Sequence, residues 1–316
     1  MFSIIIPLYN KAPYIEKAIQ SVLAQTLQDF ELIVIDDGST DNSYEIVQHL
    51  FSSLTPPPGG WGAFTQQNQG VSTARNNGVK LAKNPYICFL DADDWWAPTF
   101  LEEMKALIDE FPNAGIYGSS YFKVKNGKHI PANIGVEPCF EKGLINYFQV
   151  YAKTMWMPLT SISVAIPKGI FDELHGFKSQ LKLGEDFDLW MRIAVKYPVA
   201  YVNKPLVFYN QDVEQTLRGV VDNKIYPPDT HFIFNLDFLS KEEKQNVDLK
   251  YLLDKLRVYT LFRYRMQEAY SEEFKNEINK VDFRKQPLRV MFQHKMPLGI
   301  VRKYYILKRT VRNLIK

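Results

Sequence analysis

The sequence contains only two cysteines, Cys88 and Cys139, and no Cys-x-x-Cys pair. This scarcity disfavours a disulfide framework and a cysteine-ligated zinc site. No continuous apolar run reaches the roughly 18 to 20 residues that a membrane-spanning helix needs. The first ten residues also lack the basic segment of a signal peptide. We therefore expect a cytoplasmic protein that is soluble or peripheral on the inner face of the cytoplasmic membrane.

Several well-known catalytic motifs are missing as well. The 316 residues contain no GxGxxG, no GxxxxGK[ST] and no GxSxG, which disfavours a dinucleotide site, a P-loop and an α/β-hydrolase nucleophile. The five histidines show no HExxH spacing. What is present is an ordinary globular composition, with 46% hydrophobic and 23% charged residues. A chain of this size and composition is long enough to bury a large core.

Acidic residues are absent from the segment 284–316, which carries ten Lys and Arg. The rest of the chain has 28 basic and 35 acidic residues, although the whole chain has a net charge of +3. From Gly299 onward, apolar residues recur near helical spacing: Ile300, Val301, Tyr304, Leu307, Val311, Leu314 and Ile315. Two interpretations stay open, a helix packed on a catalytic domain or a helix lying on an anionic membrane. The acidic remainder makes nucleic acid a poor partner.

The order of apolar segments predicts the fold class. Short apolar runs at 2–7, 31–35 and 86–90 are typical of buried strands, and segments with helical spacing separate them. This alternation predicts an open, mostly parallel α/β sheet. Long helical stretches without strand signals follow. We therefore expect a catalytic domain at 1–218 and a mainly helical, basic extension at 219–316.

Acidic residues follow two of these strands directly. Asp36 and Asp37 end the second strand, and Asp91 and Asp93 end the third. In open α/β sheets, ligands bind beyond the carboxyl ends of the strands. The carboxylates can therefore hold a divalent metal, although solvated turns and helix caps produce similar patterns.

A third acidic pair, Glu185-Asp186, precedes an apolar helix. One interpretation is favourable charge at a helix N-terminus. The other is a general base that faces the crevice. Trp95 and Trp156 can stack on sugar rings, but aromatic side chains are more often part of a core.

Six ordered segments are distinctive when taken together: Pro7–Asn10, Ser21–Thr26, Glu31–Asp41, Asn68–Gly78, Phe89–Asp94 and Gly184–Arg192. They resemble family 2 glycosyltransferases of the GT-A type, as found in bacterial cell-surface polysaccharide assembly. The resemblance covers roughly residues 1–215.

The resemblance implies a Rossmann-like sheet flanked by helices, with a C-terminal helical extension. It also implies a metal-dependent inverting transferase that uses Mn²⁺ or Mg²⁺. The donor would be a nucleotide-sugar, with UDP as the expected nucleotide. The acceptor would be a hydroxyl of a glycan or of a lipid-linked saccharide. Contact with an anionic membrane through 284–316 would suit a lipid-linked acceptor.

The resemblance also assigns roles to particular residues. Asp93 would bind the metal, and Asp186 would be the catalytic base. The residues that would bind the nucleotide are Pro7, Tyr9, Asp37, Arg75 and Asp91. The residues that would line the acceptor or donor pocket are Glu185, Trp95 and Trp156.

The sequence departs from the family pattern at one place. Many relatives carry a tyrosine, arginine and histidine group after the last core strand, where this chain has Tyr209–Asp212. Asp212 stands where the histidine is expected, which makes it a second candidate metal ligand.

Two other functions fit the same acidic sites. A nucleotidyltransferase also combines an α/β fold with acidic metal sites, but it would release pyrophosphate. A non-catalytic protein that binds sugar-nucleotides or a membrane surface would retain the pocket without turnover.

Overall fold

The computed structural model describes residues 1–217 and 224–314. The chain divides into two compact units. The first comprises Met1–Leu181 and Glu185–Val220, and the second comprises Lys182–Gly184 and Val221–Lys316. The predicted boundary between residues 218 and 219 lies outside the described residues.

The first unit is built on one ten-stranded sheet. The strands are β1 (Phe2–Leu8), β2 (Phe30–Asp36), β3 (Trp61–Thr65), β4 (Tyr86–Phe89), β5 (Trp95–Trp96), β6 (Ile116–Lys125), β7 (Lys128–Pro131), β8 (Lys142–Ile145), β9 (Val164–Pro167) and β10 (Val199–Asn210). Eight of them lie in the order β3-β2-β1-β4-β9-β6-β10-β5, and the other two pair beside this path, β7 with β6 and β8 with β10.

The three strands predicted from apolar runs are confirmed as β1, β2 and β4. They pair in parallel, and every residue of β1 and β2 is buried. Such full burial is expected where helices cover both faces of a parallel sheet. The sequence did not indicate β3, which follows a Pro- and Gly-rich segment, or β9, which is antiparallel to both β4 and β6.

Helices connect and cover these strands. They are α1 (Ile15–Leu23), α2 (Ser43–Ser53), α3 (Val71–Leu81), α4 (Phe100–Glu110), α5 (Tyr147–Thr154), α6 (Lys168–Glu173) and α7 (Glu185–Lys196). In α1, Ile15, Ala18, Ile19 and Val22 are buried, at the spacing of a single helix face.

The carboxyl ends of β1, β2 and β4 meet at one edge of the sheet, because these three strands pair in parallel and point the same way.

The second unit is helical, and the strand bounds given above include none within 224–314. Its helices are α8 (Ser240–Gln245), α9 (Val247–Gln267), α10 (Ser271–Ile278), α11 (Leu288–Lys295) and α12 (Leu298–Leu314). The centre of α9 carries the buried Arg257, which pairs with Glu243 and Glu277. Among the described helices, none combines the length and apolarity needed to span a bilayer.

Candidate functional site

The loops after β1 and β2 hold each other in place. Asn10 adopts a left-handed backbone conformation with φ +49°. Its backbone N–H donates to Ser39 Oγ at 3.0 Å, and its side-chain oxygen accepts from the Thr40 N–H at 2.7 Å. Pro7 is buried at the end of β1, whereas the side chain of Tyr9 is 46% exposed. An exposed tyrosine on a fixed loop can pack against a flat ligand.

Asp37 organises a third loop at the same edge. Its Oδ1 accepts from the Gln66 amide at 2.7 Å and from the Gln69 N–H at 2.9 Å. Its Oδ2 accepts from the Gly70 N–H at 2.7 Å. The side chain is buried, so Asp37 holds the entry to α3 in place. A hydrogen bond from a nucleotide base to Asp37 would be a fourth, in addition to these three.

Arg75 joins segments that are far apart in the sequence. It lies on α3 and is only 3% exposed. One terminal nitrogen donates to Asp91 Oδ1 at 2.6 Å, and the other donates to Glu185 Oε1 at 3.2 Å. Burial would lower the pKa of Arg75, but the two carboxylates outweigh burial and raise this pKa above its ordinary value. Arg75 therefore stays charged and links the end of β4 to the start of α7.

Asp186 is the second residue of α7, beside Glu185. Its Oδ1 accepts the Phe187 N–H at 2.8 Å. Burial, followed by the negative charge of Glu185, raises the pKa of Asp186 to about 7, although Arg75 acts in the opposite direction. A carboxyl group with a pKa near neutrality is well matched to accept a proton in catalysis.

Asp188, two residues further along α7, has a different environment. It is 1% exposed and forms ion pairs with Lys178 at 2.7 Å and with Arg192 at 2.6 Å. Arg192 also donates to the Gly176 carbonyl at 2.7 Å. These contacts make Asp188 a structural residue that fixes α7.

Asp93 follows β4 and is paired with a lysine. The Lys11 ammonium lies 2.6 Å from Asp93 Oδ2 and also donates to the Leu217 carbonyl. Burial raises the pKa of Asp93, and Lys11 partly offsets that effect. The neighbouring Asp94 is fully buried and accepts the Asn210 N–H at 2.7 Å, so it connects the β4 turn to the end of β10.

A cavity of about 310 Å³ opens beside Asp93. Its walls include Trp95, Asn210 and Asp212. The Lys17 ammonium lies 2.9 Å from the centre of the Trp95 ring. The two oxygens of Asp212 accept the N–H groups of Asn126 and Gly127, at 2.7 and 2.9 Å. Asp212 therefore already fixes the turn between β6 and β7.

Trp156 is not among the residues that line this cavity. It follows α5, is half-buried, and has the Lys123 ammonium 3.9 Å from its ring centre. Both tryptophans proposed to contact sugars thus have one ring face covered by a lysine. A ligand would reach the ring edge or would displace the lysine.

Three residues in contact with the site were missed from the sequence. They are Lys11, Gln66 and Ser161, of which Ser161 accepts a 3.2 Å hydrogen bond from Arg75. Lys11 directly follows the Pro7–Asn10 segment, and this position is the only local signal it carries. Their contacts with Asp93, Asp37 and Arg75 each span at least 29 positions, so local patterns could not identify them.

Few protein oxygens are available to bind a divalent metal at this site. Across residues 1–217 and 224–314, no cluster of three or more His, Cys, Asp or Glu side chains could hold an ion. Asp91 and Asp93 nevertheless provide hard oxygen ligands at one strand end, which is the chemistry that Mn²⁺ and Mg²⁺ prefer. A metal here would need oxygens from a bound diphosphate to complete its coordination.

Comparison with known proteins gives consistent results. The family model described as glycosyl transferase family 2 matches residues 3–168. An uncharacterized glycosyltransferase of Rickettsia felis is 34% identical over 206 residues, which is 65% of this chain and 32% of that protein. Glycosyltransferase GlyA of Streptococcus pneumoniae is 29% identical over 66% of this chain and 30% of its own length. The chain thus spans about a third of the length of these relatives.

Solved structures share the fold at low sequence identity. S. aureus TarS 1–349 in complex with UDP has a TM-score of 0.69 at 18% identity, covering 94% of this chain and 88% of that chain. The mannosyltransferase PcManGT of Pyrobaculum calidifontis, in complex with GDP-Man and Mn²⁺, has a TM-score of 0.51 at 16% identity. That match covers 88% of this chain and 68% of PcManGT. At these identities the similarity establishes the GT-A type fold alone.

Proposed function

Because the chain belongs to glycosyl transferase family 2, we propose that it is a metal-dependent, inverting glycosyltransferase. The donor is a nucleotide-sugar with UDP as the nucleotide, and the sugar is a hexose or an N-acetylhexosamine. The acceptor is a hydroxyl of a glycan or lipid-linked saccharide in cell-surface polysaccharide synthesis. The observation that carries this proposal is Arg75, which joins Asp91 at the donor side to Glu185, the neighbour of Asp186.

The proposed donor site lies at the carboxyl ends of β1, β2 and β4. Tyr9 and the loop held by Asp37 would line the nucleotide, and Asp91 would lie at the ribose side. The solved structures that share the fold include a TarS complex with UDP and another with UDP-GlcNAc. These complexes support UDP as the nucleotide of this chain.

The proposed chemistry is a single displacement at the anomeric carbon. Asp186 accepts the proton of the acceptor hydroxyl while this oxygen attacks from the side opposite to the diphosphate. The configuration at the anomeric carbon is therefore inverted. Arg75 provides a fixed positive charge near the leaving group, where preorganised charges have their largest effect.

Asp93, with Asp91 beside it, would hold Mn²⁺ or Mg²⁺. A bound metal neutralises negative charge that develops on the leaving diphosphate. Asp212 is a second candidate ligand, because it lines the same cavity as Asp93. It would bind the metal through an oxygen that also accepts a backbone N–H.

A nucleotide screen tests the proposal directly. UDP, GDP and their sugar conjugates would be added with and without Mn²⁺ while the melting temperature is recorded. A ligand at 100 times its dissociation constant should stabilise the protein by about 2.7 kcal/mol. Stabilisation by UDP-sugars, followed by UDP release in the presence of an acceptor, supports the proposal. Pyrophosphate release would indicate nucleotidyl transfer, and binding without turnover would indicate a non-catalytic binding protein.

We also propose that the segment 284–316 contacts an anionic membrane. In α12, Val301 is buried, and Arg302 donates to Glu268 at 2.8 Å. A stripe on α12 is instead exposed: Ile300, Tyr304, Leu307 and Val311. Lys303 and Lys308 are exposed on the same helix. The last predicted residues of the helix, Ile315 and Lys316, lie outside the described residues.

This arrangement separates the two interpretations of the apolar pattern. Packing within the second unit accounts for Val301, but it leaves Leu307 64% exposed. An exposed apolar stripe bordered by lysines is suited to the headgroup boundary of an anionic bilayer. Each basic residue near such a surface contributes on the order of 1 kcal/mol. The segment 284–316 carries ten basic and no acidic residues. Its charge is therefore complementary to that of an anionic lipid surface.

Replacing Leu307 with glutamate should abolish sedimentation with phosphatidylserine vesicles at low salt. Val247→Glu is the matched control, because Val247 is an equally apolar, 70% exposed residue in the same unit. The control should sediment as the wild type does. If Leu307→Glu also sediments like the wild type, or if the wild type does not bind these vesicles, the membrane proposal is wrong.

A further inference from the structure

Lys11 lies beside Asp93, where the proposed donor diphosphate and divalent metal would also bind. It lies just beyond β1, next to the β4 end that carries Asp91 and Asp93. Its ammonium group is 2.6 Å from Asp93 Oδ2, and its side chain is only 14% exposed. Its backbone N–H donates to Ser43 Oγ at 2.8 Å, so the main chain at Lys11 is fixed while the side chain extends to Asp93.

The contacts of Lys11 leave room for a ligand. An ammonium group has three donors, and this one contacts two acceptors in the described chain, Asp93 Oδ2 and the Leu217 carbonyl. Lysine is a compact charge on a flexible stem, and it binds phosphate groups readily. The third donor can therefore make a first contact with a diphosphate oxygen, and the flexible stem allows the ammonium to leave Asp93 afterwards.

The carboxylate of Asp93 is also the group on which a divalent cation would depend. Two positive groups on one carboxylate repel each other strongly, because the Coulomb energy rises as their separation falls. A bound diphosphate removes this conflict, since its oxygens can accept from Lys11 while Asp93 holds the metal.

We propose that Lys11 is a diphosphate-binding residue that occupies Asp93 in the nucleotide-free protein and transfers to the donor diphosphate when the metal binds. Lys11 thereby couples metal binding to nucleotide binding. This inference rests on the proposed function, and it adds a residue that the family motifs in this sequence do not include. Linkage requires the coupling to be reciprocal: the nucleotide strengthens metal binding as much as the metal strengthens nucleotide binding.

The Lys11→Met variant tests this coupling through two affinities that should change in opposite directions. The affinity for Mn²⁺ alone, measured by electron paramagnetic resonance of free Mn²⁺, should increase because Asp93 loses its competing ammonium. The affinity for UDP in the presence of Mn²⁺, measured by calorimetry, should fall about tenfold or more, the size expected for one charged hydrogen bond. Lys11→Arg, which keeps the charge, should retain most of the UDP affinity.

A matched control is Lys105→Met, which removes one positive charge from an exposed ion pair on α4. It should change neither affinity. If Lys11→Met leaves both affinities unchanged, or weakens both together with a lower melting temperature, Lys11 has only a structural role and the inference is wrong. If the wild type binds no nucleoside diphosphate at all, the donor proposal itself is wrong, and this result is distinct from the first.

Discussion

The Asp93→Ala variant will lose transfer activity that depends on Mn²⁺ or Mg²⁺, by at least about a hundredfold, the loss typical when one charge-stabilising group is removed. Asp93 is the strand-end carboxylate whose Oδ2 lies 2.6 Å from the Lys11 ammonium. Its removal would take away the carboxylate that we propose as the main protein ligand of the metal. The measurement is initial rate against metal concentration with a UDP-sugar donor.

The fold should survive this change. Burial raises the pKa of Asp93, which means that its charged form gains little from the folded environment. The melting temperature of the variant should therefore stay close to that of the wild type. Asp109→Ala, which removes a carboxylate from an exposed ion pair with Lys105, is the control and should keep full activity. Near wild-type turnover by Asp93→Ala, or a wild type indifferent to EDTA, would contradict the metal assignment.

The Asp186→Asn variant should lose roughly 10²-fold or more in kcat, with little change in UDP affinity. Asparagine has almost the same shape as aspartate but cannot accept the proton of the acceptor hydroxyl. The turnover number and the dissociation constant of UDP should be measured on the same preparation. An unchanged kcat would move the base to Glu185 or elsewhere.

A neighbouring residue provides the matched control. Asp188→Asn, two positions along α7, removes a buried carboxylate that pairs with Lys178 and Arg192. This change should lower the melting temperature and have little effect on kcat, because the Asp188 carboxylate holds the helix. The two variants thus separate proton transfer from support of the helix.

The pH dependence of the wild type provides an independent test of the base. Burial and the adjacent Glu185 raise the pKa of Asp186 to about 7. Below that pH the carboxyl group is increasingly protonated and cannot accept a proton. The value of kcat/KM should therefore rise as pH rises through about 7, and this rise should be missing from the residual activity of Asp186→Asn. A profile that is flat between pH 6 and 8 would be inconsistent with Asp186 as the base.

Inversion of configuration follows from the same proposal. If Asp186 activates the acceptor hydroxyl for direct displacement, an α-linked sugar nucleotide should give a β-linked product. The anomeric proton coupling in the NMR spectrum of the product distinguishes the two linkages. An α-linked product would require a second nucleophile in the site.

Local periodicity in the sequence is sufficient to predict part of the fold. The runs at 2–7, 31–35 and 86–90 are apolar at every or nearly every position, and such runs form buried parallel strands in almost any α/β context. Since parallel strands share a direction, the acidic residues after β2 and β4 had to lie at one edge. The sequence therefore predicts the place of the candidate site without any knowledge of contacts.

Local patterns do not indicate which distant residues meet at that edge, because these contacts form only when the chain folds. The Arg75–Glu185 pair spans 110 positions and the Lys11–Asp93 pair spans 82, and no local pattern encodes such pairs. Antiparallel β9 between β4 and β6 is also a matter of long-range pairing. For α12, the sequence predicted an apolar stripe, but the exposure of Leu307 and the burial of Val301 depend on the helix it packs against. Periodicity is a property of neighbours in the chain, whereas ion pairs and burial are properties of neighbours in space.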